Sequence, residues 1–381
     1  MDTCLLRQRR SGGGIHSCAN PAGQMNVNAQ DAPIRITLKD VAQSLDVSVS
    51  TVSLSMRDDR RIPEIRRNQV KETAEKMGYQ ANPAAAMLAQ FKRVSSIKPV
   101  QAALAWINAW PDPKQLRSWV DFELYWQGAS NAAQKFGYRL EEFLVNDKLS
   151  PRRLQQILLA RNISGILIPP HGRYFASGPG IDWSAFDWGQ FSAVRFGHTI
   201  GLQIHSITSD QMANGMMAFN KIRERGYERI AFVGRADQGR HFGAGFLWAQ
   251  SQLPQNKRLP IFLFPDPERP EKMQGKFISW LKKAKPDAIF HDVNGLPQML
   301  QKAGYRVPED IGVAGTTILV PGGNAIDAGL DQNSEEIGRV AVLVVLSMIS
   351  DNVRGLPPIP RQIFVQGHWV DGASLPDRKS R

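Results

Sequence analysis

The stretch from Thr37 to Met56 constrains this chain most. Leu38, Val41, Ala42 and Leu45 recur at helical spacing, so the first segment has one apolar face. Thr37 and Asp40 have the spacing of a capping box, which satisfies free N–H groups at a helix start. After the break Asp46-Val47-Ser48, Ser48 can cap a second short helix carrying Val49, Val52 and Met56. Two short helices joined by a tight turn form a helix-turn-helix, whose second helix can enter a DNA major groove. Pro63 opens a third helix, with Ile65, Val70, Ala74 and Met77 as its apolar side and Gly78 as its C-terminal cap. Asn82-Pro83 is a further cap and start. The alanine-rich segment behind it is too short to be stably helical alone, which suits a conditional hinge helix.

These residues resemble the headpiece and hinge of the LacI/GalR bacterial repressors. The matching words are TLKDVA from Thr37, VSVSTVS from Val47, KMGY from Lys76 and NPAA from Asn82, in order and at the right spacing. The resemblance implies an operator-binding regulator with a ligand-responsive core behind the hinge.

Net charge +12 and a pI near 9.8 suit a polyanionic partner, or simply a basic soluble protein. Residues 35–93 hold 11 Lys/Arg and 7 Asp/Glu, so the excess is spread along the chain and charge alone does not locate a DNA site. Both cysteines, Cys4 and Cys18, lie in an N-terminal stretch rich in Gly, Asn, Gln and Arg that lacks a core and reads as disordered. They offer no disulfide framework or zinc spacing. With no signal peptide and no 18-residue apolar span, the sequence points to the cytoplasm rather than a membrane.

Beyond a linker, short apolar runs alternate with amphipathic segments. Strands are expected at 101–109, 138–145, 165–169, 193–196, 206–208 and 229–233, and helices at 122–136, 151–161 and 211–225. Such alternation builds parallel sheets covered by helices, and its double occurrence indicates two α/β lobes with a cleft between them. The family likeness continues more weakly through Gly128, Gly165–Ile168, Gly226–Gly234, Val307–Ile311 and Glu336–Gly338. It covers roughly residues 37–372 and implies a core like the periplasmic sugar-binding proteins, hinged by three strand crossovers. The expected order is an N-terminal extension (1–34), an all-α helix-turn-helix headpiece (35–81), a hinge helix and linker (82–99), a two-lobed α/β periplasmic-binding-protein-like core for effector binding and dimerisation (100–372) and a C-terminal tail (373–381). The tail is polar and basic without leucine heptads, which argues against a tetramerising coiled coil.

By family position, Val49, Ser50 and Leu54 face base edges, while Thr37, Ser48, Thr51 and Ser53 are phosphate contacts. Leu54 departs from the arginine common in relatives: either it makes apolar contact with a thymine methyl or it packs inside the headpiece. Arg57, one turn on, can supply a polar contact. Asp46 replaces a common turn glycine, and aspartate visits left-handed conformations more readily than most residues. Asn82 sets the hinge register, and Leu88 falls where the family inserts a minor-groove wedge, with helix packing as the other reading. For the cleft, Trp110 and Phe122 suit a stacking surface or a core. Phe242 aligns with the family's ligand arginine, with Arg240 two residues earlier. His291-Asp292 aligns with its Asn-Asp pair, so only Asp292 matches, and Gln332 matches a glutamine. Arg195 and His198, near the first crossover, are further candidates. The clamping groups of a simple sugar site are thus partly missing.

Enzyme motifs fare poorly. Gly243-Ala244-Gly245 lacks the third glycine of a dinucleotide fingerprint, the seven histidines are scattered, and no GxSxG or phosphate-loop pattern occurs. The expected protein is therefore a non-enzymatic regulator with no cofactor or metal. Its expected partners are double-stranded operator DNA, a small-molecule effector and a second copy of itself, with no membrane. The other class left open is a small-molecule binding protein of periplasmic-binding-protein type without DNA function.

Overall fold

The computed structural model describes residues 36–79, 102–145, 149–170, 182–197, 203–236, 240–265, 270–318 and 328–379. The N-terminal extension, the hinge with Asn82 and Leu88, and His198 lie outside the described residues.

The headpiece is three helices, α1 (Leu38–Ser44), α2 (Val49–Met56) and α3 (Glu64–Lys76). The capping box at α1 is complete: the Thr37 N–H and hydroxyl both donate to Asp40 Oδ2 at 2.7 Å, and Asp40 N–H donates back to Thr37 Oγ1 at 3.4 Å. The same bonds hold the Asp40 carboxyl below the usual carboxylate range. Asp46 sits in the turn at φ 51°, the left-handed conformation that aspartate tolerates. Ser48 Oγ accepts the Thr51 N–H at 3.1 Å and caps α2. A small core of Val41, Ala42, Val52, Val70 and Ala74 joins the three helices. Ile65 does not join it and is 86% exposed. Nine residues ahead of Ala74, it lies two and a half turns away and therefore on the opposite face of α3.

The core holds two six-stranded sheets of matching order. In the N-terminal lobe β1 (Ala102–Asn108) pairs with β2 (Tyr138–Leu144) and β3 (Gly165–Ile168), followed outward by β4 (Ser192–Phe196), β5 (His205–Ser209) and β11 (Gln362–Val365). In the C-terminal lobe β6 (Ile230–Arg235) pairs with β7 (Phe262–Phe264) and β8 (Ala288–His291), followed by β9 (Gly312–Gly315), β10 (Gly329–Asp331) and β12 (His368–Val370). All pairings are parallel except β10 with β12. The central strands are apolar on both faces, as parallel strands covered by helices must be. Three crossovers link the lobes: Ser209 to Gln211, Asp331 to Ser334, and Val365 to His368.

Each lobe is locked by one close helix pair. In the N-terminal lobe α4 (Pro113–Ser118) leads into α5 (Val120–Lys135), which crosses α11 (Ser334–Ser350), the helix entered from the second crossover. A Cβ on Gly128 would meet the Glu335 carbonyl oxygen at 1.8 Å, and one on Gly338 would meet that of Tyr125 at 2.1 Å. In the C-terminal lobe α7 (Gln211–Glu224) crosses α8 (Arg240–Gln250) in the same way, through Gly215 and Gly245. The Gly243-Ala244-Gly245 sequence is therefore a helix-packing device, with Gly243 against the Phe232 ring and Gly245 against Met212. On the opposite sheet faces α6 (Pro151–Ala160) packs in the first lobe, and α9 (Gln274–Ala284) and α10 (Leu296–Lys302) pack in the second.

The segment 373–379, expected as a polar tail, packs on the C-terminal lobe. Leu375 is buried in its core, Ser374 Oγ donates to the Val313 carbonyl, and the Tyr227 hydroxyl donates to the Pro376 carbonyl. A single apolar residue among polar ones sufficed to anchor it. No helix among the described residues is long and apolar enough to cross a membrane.

Candidate functional site

Two surfaces can carry function. On the headpiece, α2 has the sequence VSTVSLSM, without a charged residue. Its Val52 and Ser55 point into the headpiece, while Val49 is 45% exposed and Ser50 is exposed. Leu54 is half-buried yet is absent from the apolar side chains packed on the headpiece core. Ser53 is half-buried, Arg57 follows α2 and is exposed, and the Ser48 and Thr51 hydroxyls lie 2.9 Å apart.

The second surface is a cavity of about 420 Å³ between the two lobes of the core. In sheets of this strand order ligands bind outside the carboxyl ends of the strands, where the order reverses. In the C-terminal lobe that point lies between β6 and β8. There Arg235 ends β6, His291 ends β8 and Asp292 follows it. The Asp292 carboxylate accepts the Arg235 backbone N–H at 2.7 Å and lies 3.7 Å from its guanidinium. His291 Nδ1 accepts the Val293 N–H at 3.2 Å, so the ring proton sits on Nε2, which is buried with no hydrogen-bond partner among the described residues. Burial depresses the His291 pKa to about 4, against a weaker opposing effect of the Val293 bond, and the ring is neutral at pH 7.

The N-terminal lobe contributes the start of α5. Trp119, Phe122 and Tyr125 form a ladder of rings, with centroids 6.2 Å and 5.8 Å apart in sequence. Beside them the half-buried Asp121 bridges the lobes. One oxygen accepts the Ser334 hydroxyl at 2.7 Å, and the other accepts the hydroxyl of Thr317, beyond β9, at 3.0 Å. Gln332 continues this network by donating to Thr317 Oγ1 and to the Thr316 carbonyl. Burial raises the Asp121 pKa more than the two hydroxyls lower it, and Asp331 adds to the rise. Tyr125 is raised as well, first by burial and then by the Asp121 charge.

Of the residues expected from sequence, Phe122, Phe242, His291, Asp292 and Gln332 line this cavity. Arg240 opens α8, and its side chain lies outside the described residues. Trp110 and Arg195 do not line it. Trp110 is buried and its indole N–H donates to the Pro170 carbonyl at 2.9 Å, which makes it a plug beneath the Phe122 ring. Arg195 alternates with Val194 and Phe196, whose side chains pack under α5 and α11, so it points to the other face of the sheet. Asp121, Trp119 and Arg235 were missed. Arg235 had a signal, a charge at the end of the apolar run Ile230–Gly234. Asp121 had none, since its partners are about 200 residues away.

A helix-turn-helix module together with a two-lobed ligand-binding core defines a DNA-binding regulator controlled by a small molecule. Residues 37–82 match the bacterial regulatory proteins of the lacI family, and residues 219–375 match the periplasmic binding protein-like domain. The chain thus carries a lacI-family DNA-binding domain followed by a periplasmic binding protein-like domain. No curated protein matches its sequence. Among solved structures, the complex of the transcriptional regulator CelR with cellobiose is similar at 17% identity and TM-score 0.51, over 89% of this chain and 100% of that one. The lac repressor dimer bound to operator and an anti-inducer is similar at 17% identity and TM-score 0.51, over 90% and 99%. A LacI transcriptional regulator from a Rhodococcus species aligns at 17% identity and TM-score 0.52, over 72% and 98%. At such identities these likenesses speak for the fold.

Proposed function

We propose that this protein is a bacterial transcriptional repressor that binds a roughly palindromic operator as a dimer and is controlled by an effector in the inter-lobe cavity. The observation that carries this reading is the outer face of α2, where Val49 and Ser50 are exposed and the half-buried Leu54 is not among the side chains packed on the headpiece core. In the proposed complex these three read base edges. Thr37, Ser48, Thr51 and Ser53 touch phosphate with Arg57 beside them, and Asn82 and Leu88 set the hinge in the minor groove. Two-fold protein symmetry matches two half-sites, as in the operator-bound lac repressor dimer. The effector contacts Phe122, Phe242, His291, Asp292 and Gln332. It acts through the Asp121–Thr317 bridge between the lobes, because a ligand that prefers one lobe separation shifts the population toward it. A DNA-binding regulator of this kind works in the cytoplasm.

Selection of binding sites from random DNA, followed by gel shifts at two salt concentrations, tests the reading. The expected result is an inverted repeat bound with a steep salt dependence, since phosphate contacts release counterions. A chain that selects no sequence at either salt concentration is a small-molecule binding protein instead.

A further inference from the structure

We infer that the cavity takes an effector without an anionic group, and that Asp292 enforces this by neutralising Arg235, the arginine lining the cavity. The inference rests on the reading of the cavity as the effector site.

The argument starts from charge. A lone arginine at a strand end would attract phosphate or carboxylate, and the planar guanidinium fits both. Here Asp292 already occupies that role. It is nearly buried, with its side chain 5% exposed, and is fixed in place through the Arg235 backbone N–H as well as the guanidinium. An anion entering would have to displace a carboxylate held at two points, or sit beside its like charge. The second acid, Asp121, faces the same cavity with each oxygen engaged by a hydroxyl. His291 adds no positive charge, because burial keeps its ring neutral at pH 7.

The cavity thus presents neutral groups. The His291 Nε2–H is a donor with no partner among the described residues, and Gln298 Oε1 is an acceptor in the same position. Both atoms are covered by protein, so a bound molecule can pair with them only where a neighbouring side chain such as Gln298 turns aside, and such pairing is favoured because an unpaired buried donor or acceptor costs free energy. The rings of Trp119, Phe122 and Phe242 offer apolar area beside them. An uncharged molecule with hydroxyl or amide groups on one edge and an apolar face meets these features together.

The test is an anion titration of the full-length protein at constant ionic strength. Sulfate and inorganic phosphate are added to the parent and to Asp292→Asn, with binding followed by calorimetry and by thermal melting. Asparagine keeps an oxygen for the Arg235 N–H but removes the countercharge. We expect no saturable binding by the parent, at least tenfold tighter anion binding by Asp292→Asn, and loss of that gain when Arg235→Gln is added. Saturable binding of either anion by the parent that is lost in Arg235→Gln overturns the inference. So does Asp292→Asn that folds and gains nothing. If Asp292→Asn does not fold, the parent titration alone decides. A second series compares glucose, gluconate and glucose 6-phosphate, and adenosine with its monophosphate. A charged member that stabilises the parent more than its neutral counterpart also overturns the inference. DNA binding by the parent is measured in parallel, so failure of the regulator reading is seen separately.

Discussion

The headpiece and the inter-lobe cavity solve opposite problems. In the headpiece the groups that hold the fold and the groups offered to a partner are separate. Val52, Val70 and Ala74 are buried, the Thr37–Asp40 box closes the first helix, and Val49 and Ser50 stand outside all of this. In the cavity the same residues do both tasks. Asp121 bridges the lobes and lines the ligand space, and Asp292 pins the end of β6 and sets the charge that a ligand meets. A surface whose stability lies elsewhere can change its specificity at small thermodynamic cost. A buried site made of structural groups cannot, so substitutions in the core should cost far more stability than those on α2.

The largest effect is expected where helices cross at glycine. Gly128→Ala puts a methyl 1.8 Å from a backbone oxygen, which cannot rotate away as a side chain could. Gly338→Ala, Gly215→Ala and Gly245→Ala meet backbone oxygens in the same way. Overpacking typically costs about 1–3 kcal/mol and more where nothing yields, so each should lower the urea midpoint by about 3 kcal/mol or more of stability. Gly275→Ala, in α9 with nothing near the added methyl, is the control and should stabilise by about 0.5–1 kcal/mol. If Gly128→Ala behaves like Gly275→Ala, the lobes are not locked as described.

His291 is next. Its folded pKa of about 4 lies below the reference of 6.5, so between these values the unfolded chain binds more protons than the folded one. Stability should therefore rise as pH increases from 4 to 6.5 and level off above, by about 3 kcal/mol at most. Asp121 acts in the opposite sense, since its raised pKa makes the folded state lose stability as pH climbs above the usual carboxylate range. The difference between the parent and His291→Asn isolates the histidine, because Asn can still accept the Val293 N–H. Equal pH profiles for the two would mean that the ring is solvated.

The same contrast explains what could be read from the sequence. The headpiece was legible nearly to the residue because its determinants are local: a box spanning three positions, a turn aspartate, a serine cap. The βα alternation likewise located β1 to β6 to within two residues at either end, since strand burial is written in continuous apolar runs such as Ile230–Val233, but it did not reach the short strands β7 to β12. Ile65 misled because it is apolar and sits on a helix, and only its angular position excludes it. The cavity was half legible. His291, Asp292 and Gln332 lie at strand ends, where fold geometry collects them. Asp121 could not be found, because nothing near it in sequence hints at hydroxyls from Thr317 and Ser334. Leu375 was hidden by its polar neighbours.

A smaller effect is expected at the helix cap. Thr37→Ala removes the acceptor for the Asp40 N–H and the donor to its carboxylate, which should cost about 1 kcal/mol. Because the loss is confined to the headpiece, hydrogen exchange of amides in 38–44 should speed up while those of the β6 and β8 strands stay unchanged. Equal acceleration in both regions would mean that the headpiece and core unfold as one.

The smallest effect on stability belongs to Leu54, and there the comparison is sharpest. The residue is half-buried but lies outside the packed headpiece core, so Leu54→Arg should change stability by no more than about 0.5 kcal/mol. Its effect on sequence choice should be larger. Arginine can donate to guanine O6 and N7 together, a pairing worth about 1–3 kcal/mol of discrimination, whereas leucine has no donor and gains only by covering a thymine methyl. The parent should therefore prefer A·T at the facing base pair, and Leu54→Arg should shift that position toward G·C. The salt slope should hold steady, because the phosphate contacts that set it lie elsewhere. Arg57 comes directly after that helix and is the rival source of a guanine contact, so site selection is run on Arg57→Ala as well. An unchanged consensus in Leu54→Arg, together with a loss of stability above 1 kcal/mol, would move residue 54 from the reading face into the headpiece core. The separation between holding the fold and reading the DNA would then fail in the headpiece as it does in the cavity.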